Sequence, residues 1–203
     1  VAGMSRATED EGQLVAALVA GDRAAFARAY QRYNAPMVRL ASAILRNRAS
    51  AEEVAQDAWV SILKNIGTFQ GRSTFAAWVF TILTNAARSR ARRDGRQVLF
   101  EDSGEGNSLA DAFDGTGHWK DVPALWEEVT PEREVEGRNL LSHVTAAIDR
   151  LPEAQRAVMI LRGQQGMEAA EVCAALGISE GNMRVLLHRA RLALRGELDR
   201  LLS

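Results

Sequence analysis

Arginine dominates the chemistry available to this chain. A run of five, Arg88, Arg90, Arg92, Arg93 and Arg96, follows Asn85, and a second stripe, Arg184, His188, Arg191 and Arg195, recurs at helical spacing near the C-terminal end. Phe69 and Arg72 stand in the turn-rich stretch Gly-Thr-Phe-Gln-Gly-Arg-Ser-Thr that ends at Thr74. Guanidinium forks neutralise phosphates, and an aromatic ring with small polar groups can hold an unstacked base. That is the chemistry of nucleic-acid capture, not of bond-making. No nucleophile–base pair or Gly-rich phosphate loop is visible. A lone Cys173 and three scattered histidines, His118, His143 and His188, give neither a disulfide framework nor a zinc-ligand cluster. The expectation is a protein with no catalytic residues, no metal and no cofactor, hence no enzyme.

The elements that must position these residues read as helices throughout. A helix over about Asp22–Arg46 has Asp22 as cap and a bend near Pro36. In the next, Ser50-Ala51-Glu52-Glu53 reads as a capping box, and Ala51, Val54, Ala55, Ala58, Trp59, Ile62, Leu63 and Ile66 form a full apolar stripe. Glu53, Gln56, Asp57, Val60 and Lys64 lie off that stripe, as either a partner surface or a solvated face. A third helix starts near Ser73 and buries Phe75, Trp78, Val79, Ile82, Leu83 and Ala86. At 100° per residue its opposite side holds Ala77, Thr81, Thr84, Asn85, Arg88 and Arg92, polar at first and then cationic. With the aromatic loop at one end and the arginines at the other, that side suits nucleic acid.

The C-terminal stretch reads as a helix-turn-helix. Leu151-Pro152-Glu153 opens one helix, Met167 to Leu176 makes a short second one, and Gly177-Ile178-Ser179 is the turn, with Gly at the C-cap and Ser as the next N-cap. The last helix, from Glu180 to about Leu201, has Met183, Leu186, Leu187, Ala190 and Leu194 on one face and the basic stripe on another. A docked helix with its basic face outward is what major-groove reading requires, with Arg184 near the end that meets bases and Arg189 and Arg191 on flanking phosphates. Cys173 falls beside Val172 and Leu176, as a small buried hydrophobe.

Composition divides the 203 residues into blocks that the net charge of −1 hides. Residues 1–21 read as a tail. Residues 22–96 hold 13 basic and 5 acidic side chains, 97–137 hold 2 and 11, and 138–203 hold 9 and 7. Two basic helical modules with an acidic linker fit a polyanionic partner. The linker, 41 residues with Trp119 and Trp126, spans up to about 140 Å when extended. No run of ~18–20 apolar residues and no apolar signal region is seen, so the expected compartment is the cytoplasm.

Three stretches together carry a family resemblance: Ala51-Glu-Glu-Val-Ala-Gln-Asp-Ala-Trp59, Phe69-Gln-Gly-Arg-Ser-Thr-Phe-Ala-Ala-Trp78 with Asn85 and the arginine run, and Leu151-Pro-Glu through Arg191. In order and spacing they resemble the extracytoplasmic-function sigma factors, the compact branch of the sigma-70 family. The resemblance implies an all-α fold of two small helical domains, regions 2 and 4, joined by a long flexible linker. It implies three partners: bacterial RNA polymerase core, promoter DNA and an anti-sigma factor. Glu53, Gln56, Asp57 and Val60 match the surface gripping the clamp helices of the polymerase. Phe69, Arg72, Thr81, Asn85, Arg88 and Arg92 fall on the part that recognises and melts the −10 element, where Asn85 matches a position reading a flipped base. Arg184, Val185, His188, Arg189 and Arg191 fall on the reader of the −35 duplex. The linker matches the segment threading toward the active centre and the RNA exit path. Glu168 stands where a Ser or Thr N-cap is common, Val185 and Leu186 replace residues often polar or basic, and the linker is longer than usual. A stand-alone helix-turn-helix regulator with a helical sensory module is the alternative, and a protein-interaction adaptor a third reading.

Overall fold

In the computed structural model the described residues are 2–95 and 143–202, with side chains described for 10–95 and 143–197. The acidic linker, with Trp119, Trp126 and His118, and Arg96 at the end of the arginine run, lie outside them. No strand occurs among the described residues. Helix α1 covers Ala2–Val19, α2 Arg23–Leu45, α3 Arg48–Asn65 and α4 Phe75–Arg93. Residues 143–150 are a helix (α5), α6 is Glu153–Val158 running on as a π turn over Met159–Gln164, α7 is Ala169–Leu176, and α8 is Glu180–Leu202.

Each boundary has a local cause. The Asp22 carboxylate accepts from the backbone N–H groups of Ala24 and Ala25 at 2.7 and 3.3 Å, relieving two orphan donors of α2. Pro36 sits inside α2, which ends at Arg46 in the left-handed region. The cap of α3 differs from the sequence expectation. Asn47, not Ser50, caps the helix by accepting from the Ser50 N–H at 2.9 Å, so Ser50 already lies in the first turn. Glu53 is thereby freed from a capping box and instead accepts from Arg90 of α4 at 3.1 Å. Thr74 caps α4 by accepting from Ala77 N–H at 3.1 Å. Gly177, at φ +63°, closes α7, and Ser179 accepts from Asn182 N–H at 3.2 Å to open α8. Glu168 serves as N-cap of α7, with the Glu171 carboxylate reaching back to its N–H at 2.9 Å. The departure from Ser or Thr therefore leaves that end capped.

Ala2–Val19, within the stretch expected as a tail, form helix α1. Helix α1 buries Leu18 and packs on α2 and on the 3-10 turn Ile66–Thr68. Its Glu11 carboxylate accepts from the Phe75 N–H at the start of α4.

Helices α2, α3 and α4 pack on one another around Tyr33, Met37, Leu40, Trp59, Ile62, Phe75, Phe80 and Leu83. Trp59 donates its indole N–H to Asn34 at 3.1 Å and meets Phe26 edge-on at 5.6 Å. The C-terminal unit buries Ile160, Leu161, Met167, Leu176 and Met183 where α6, α7 and α8 meet. The two units also touch: α6 lies on α2 and α7 on α4, so the buried apolar residues of both form one continuous core.

Candidate nucleic-acid interface

The loop between α3 and α4 does not leave its aromatic ring free. Phe69 is half-buried, its ring 5.8 Å from Phe75 and 5.4 Å from Trp78. The loop thus rests on the first turn of α4, while Arg72 points into solvent. Along α4, Thr81 and Asn85 are exposed, one turn apart on the same side, and the Thr81 hydroxyl donates to Ala77 O at 2.7 Å. Arg72, Thr81 and Asn85 are thus exposed, with the Phe69 ring partly covered at the loop end.

The arginine run divides by position. Arg90 pairs with Glu53 at 3.1 Å and with Asp94 at 3.4 Å. Those hydrogen bonds and charges, Glu53 first, hold its guanidinium above the usual arginine range. Arg88 turns toward the C-terminal unit and donates to the carbonyls of Ala175 and Leu176 at 3.3 and 2.5 Å. Burial, with Arg92 adding repulsion, pushes its pKa down. Arg92 and Arg93 remain exposed, Arg92 donating to Ser89 Oγ at 3.0 Å. Thr84 and Ala77, expected on the outward polar side, are buried, and the Thr84 hydroxyl is used by Phe80 O at 2.8 Å. The outward polar face is narrower than the periodicity implied because part of it lies against α7.

On α3, Glu53, Gln56, Asp57 and Val60 are all exposed on one side, with Leu63 beside them. Val60 is 51% accessible, a β-branched apolar side chain framed by carboxylates and an amide.

On α8, Arg184 and Arg191 are exposed and Val185 and Arg189 half-buried. Arg184 pairs with Glu180 one turn earlier at 3.2 Å. His188 departs from the expected outward stripe. It is 5% accessible, and burial, helped by Arg191 and Arg189, holds its pKa below the usual 6.5. Helical spacing keeps His188 on the side of Arg184 and Arg191, so its burial comes from packing around α8 and not from the periodicity of the helix itself. Arg162, on the π turn, is a basic residue that sequence reading passed over. It donates to Met167 O at 2.7 Å, and its charge joins burial in lowering the pKa of Arg191, which marks the two guanidiniums as neighbours. Arg162 also pairs with Glu168 at 4.0 Å. Cys173 is half-buried, and burial, then Glu180, pushes its thiol pKa up, away from reactivity. Among the described residues no group of three metal-ligating side chains occurs, and no helix is long and apolar enough to cross a membrane.

Two family models match this arrangement: Sigma-70 region 2 over residues 29–97 and Sigma-70 region 4 over residues 143–194. The chain is 30% identical to the ECF RNA polymerase sigma factor EcfG of Rhodopseudomonas palustris over 145 residues, 71% of this chain and 69% of that one. The chain belongs to the extracytoplasmic-function sigma factors. It is also 28% identical to the RNA polymerase sigma-H factor of Pseudomonas aeruginosa, across 96% of both chains. Among solved structures it is similar to the sigma factor RpoE of Bartonella quintana, crystallised with the anti-sigma factor NepR, at 24% identity, 86% of this chain, 96% of that one and a TM-score of 0.49. Region 2 of this sigma factor thus covers most of α2 with α3 and α4, and region 4 the helix-turn-helix; α1 precedes the matched span.

Proposed function

We propose that this sigma factor binds bacterial RNA polymerase core through Glu53, Gln56, Asp57 and Val60, recognises the −35 duplex with α8, and melts and captures the −10 element along α4. The observation that supports the reading is the exposed set Arg72, Thr81, Asn85 and Arg92, with the half-buried Phe69 ring at the loop end. It places an aromatic edge, an amide and cations in the order that a strand peeled from a duplex would meet them. Unstacking a base costs a few kcal/mol, offset by capture of the extruded base and by contacts to its backbone. On α8, Arg184 stands at the end that enters the groove, Val185 offers an apolar contact, and Arg189 and Arg191 hold flanking phosphates. His188, buried, orients that helix.

Residues 97–137 act as the tether between the modules, and their acidity suits a path along a basic channel. Neither module performs catalysis. The protein works in the cytoplasm, and an anti-sigma factor that covers both modules belongs to the same reading. The test is permanganate footprinting of a supercoiled promoter with core polymerase. Asn85→Ala combined with Phe69→Ala is expected to abolish reactivity of −10 thymines while leaving core association unchanged. Normal opening by that double variant would contradict the site assignment.

A further inference from the structure

Arg88 lies on the face of α4 assigned to promoter DNA, yet its guanidinium is spent on the other half of the molecule. Nη1 and Nη2 donate to Ala175 O and Leu176 O at 3.3 and 2.5 Å, the last carbonyls of α7, where the helix dipole leaves negative charge. Gly177 follows at φ +63°, and a Cβ there would stand 2.5 Å from Arg88 Nη2. The close approach therefore depends on a glycine. Thr84 and Ala91, which share a ridge with Arg88 at i−4 and i+3, are fully buried although neither lies on the apolar stripe of region 2. Around the corner, Arg39 of α2 reaches Asp149 at 3.7 Å and Gln164 at 3.2 Å, and Arg46 reaches Glu153 at 3.3 Å. The Arg46–Glu153 pair is exposed and adds little stability; α2 also packs on α6, and α4–α7 is the contact that covers the reading face of α4.

We propose that the free chain holds itself closed, with the lower half of the α4 reading face serving as the docking surface for the end of α7 in its own region 4. The inference rests on the reading of α4 as the −10 surface. Distance supports it. The −35 and −10 elements lie 25 base pairs apart by name, about 85 Å at 3.4 Å per base pair. A compact chain of this length has a radius of gyration of about 17 Å. Modules in contact along α4 and α7 cannot occupy both elements, so use of the promoter requires this contact to part. The 41-residue linker, with a reach of about 140 Å, covers the separation. Parting releases Arg88 to a phosphate, which replaces the carbonyl oxygens that it held. The latch and the DNA therefore compete for one side chain.

The experiment uses the full chain with Cys173→Ser, Lys64→Cys and Ala193→Cys, carrying a donor–acceptor dye pair on exposed positions of α3 and α8. The free protein should show a single high-transfer population. Arg88→Ala, and independently Gly177→Ala, should shift it to low transfer, as should core polymerase with promoter DNA. The same Gly177→Ala chain should bind a fluorescent single-stranded DNA oligonucleotide about tenfold more tightly than the parent, the factor that one lost hydrogen bond to a charged group gives. Low transfer in the free parent, or transfer unmoved by both substitutions, would overturn the proposal. A transfer shift with unchanged DNA affinity would overturn the claim that the contact guards a DNA surface, and would count against the reading of α4 itself.

Discussion

At the scale of residues, a side chain's partner decides its role more than its type. Arg88, Arg90 and Arg92 stand within five positions. One binds carbonyls of α7, one ties α4 to Glu53, and one faces solvent. The sequence marks the cluster but not this division, because the partners come from α3 and from region 4. His188 shows the same limit: spacing places it with Arg184 and Arg191, and packing withdraws it. That burial has a pH consequence. The unfolded chain takes up a proton on His188 near pH 6.5, while the folded chain does so only at lower pH. The unfolded state thus binds more protons in that window, so stability is full above pH 6.5 and falls as pH drops toward the folded value. Thermal unfolding from pH 7.5 to 5.0 should show a decline in Tm that His188→Gln flattens. Leu83, fully buried between helices, is a control for core packing. Leu83→Ala is expected to cost about 2–5 kcal/mol by urea denaturation.

Helices were the most legible level. The stripes from Ala51 to Ile66 and from Phe75 to Ala86 set α3 and α4, and Gly177-Ile178-Ser179 set the turn between α7 and α8. Boundaries were less so. A Ser-x-x-Glu pattern at Ser50 resembles a cap, yet Asn47 three residues earlier satisfies the free N–H first, and the helix takes the longer span. Asn47→Ala should therefore destabilise the chain by about 1 kcal/mol, whereas Ser50→Ala should change little, as read from paired chemical denaturation curves. Helix α1 is not legible in the sequence because its acids, Glu9, Asp10 and Glu11, cluster at mid-helix and only Leu14, Val15 and Leu18 carry a period. Its contribution is specific: Glu11 gives α4 a second N-terminal acceptor beside Thr74. Glu11→Ala is expected to cost about 1 kcal/mol and to speed hydrogen exchange in the first turn of α4, with Glu11→Gln retaining most of the effect.

For the whole molecule, segregated charge announced a polyanion partner, and family membership accounts for it. What composition could not show is that the two basic modules lie against each other, since docking depends on one guanidinium, Arg88, meeting backbone carbonyls at the end of α7, which a count of charges does not reveal. If Arg72, Arg92, Arg184 and Arg191 each meet one phosphate in the promoter complex, the salt dependence of binding should have a log–log slope of about −3 to −4. Arg191→Ala should lower that slope by about one. The most direct test of the account is run-off transcription from a promoter template with purified core polymerase. The account predicts selective transcripts only when this chain is added. Its failure to associate with core, or the same transcripts with and without it, would contradict the account.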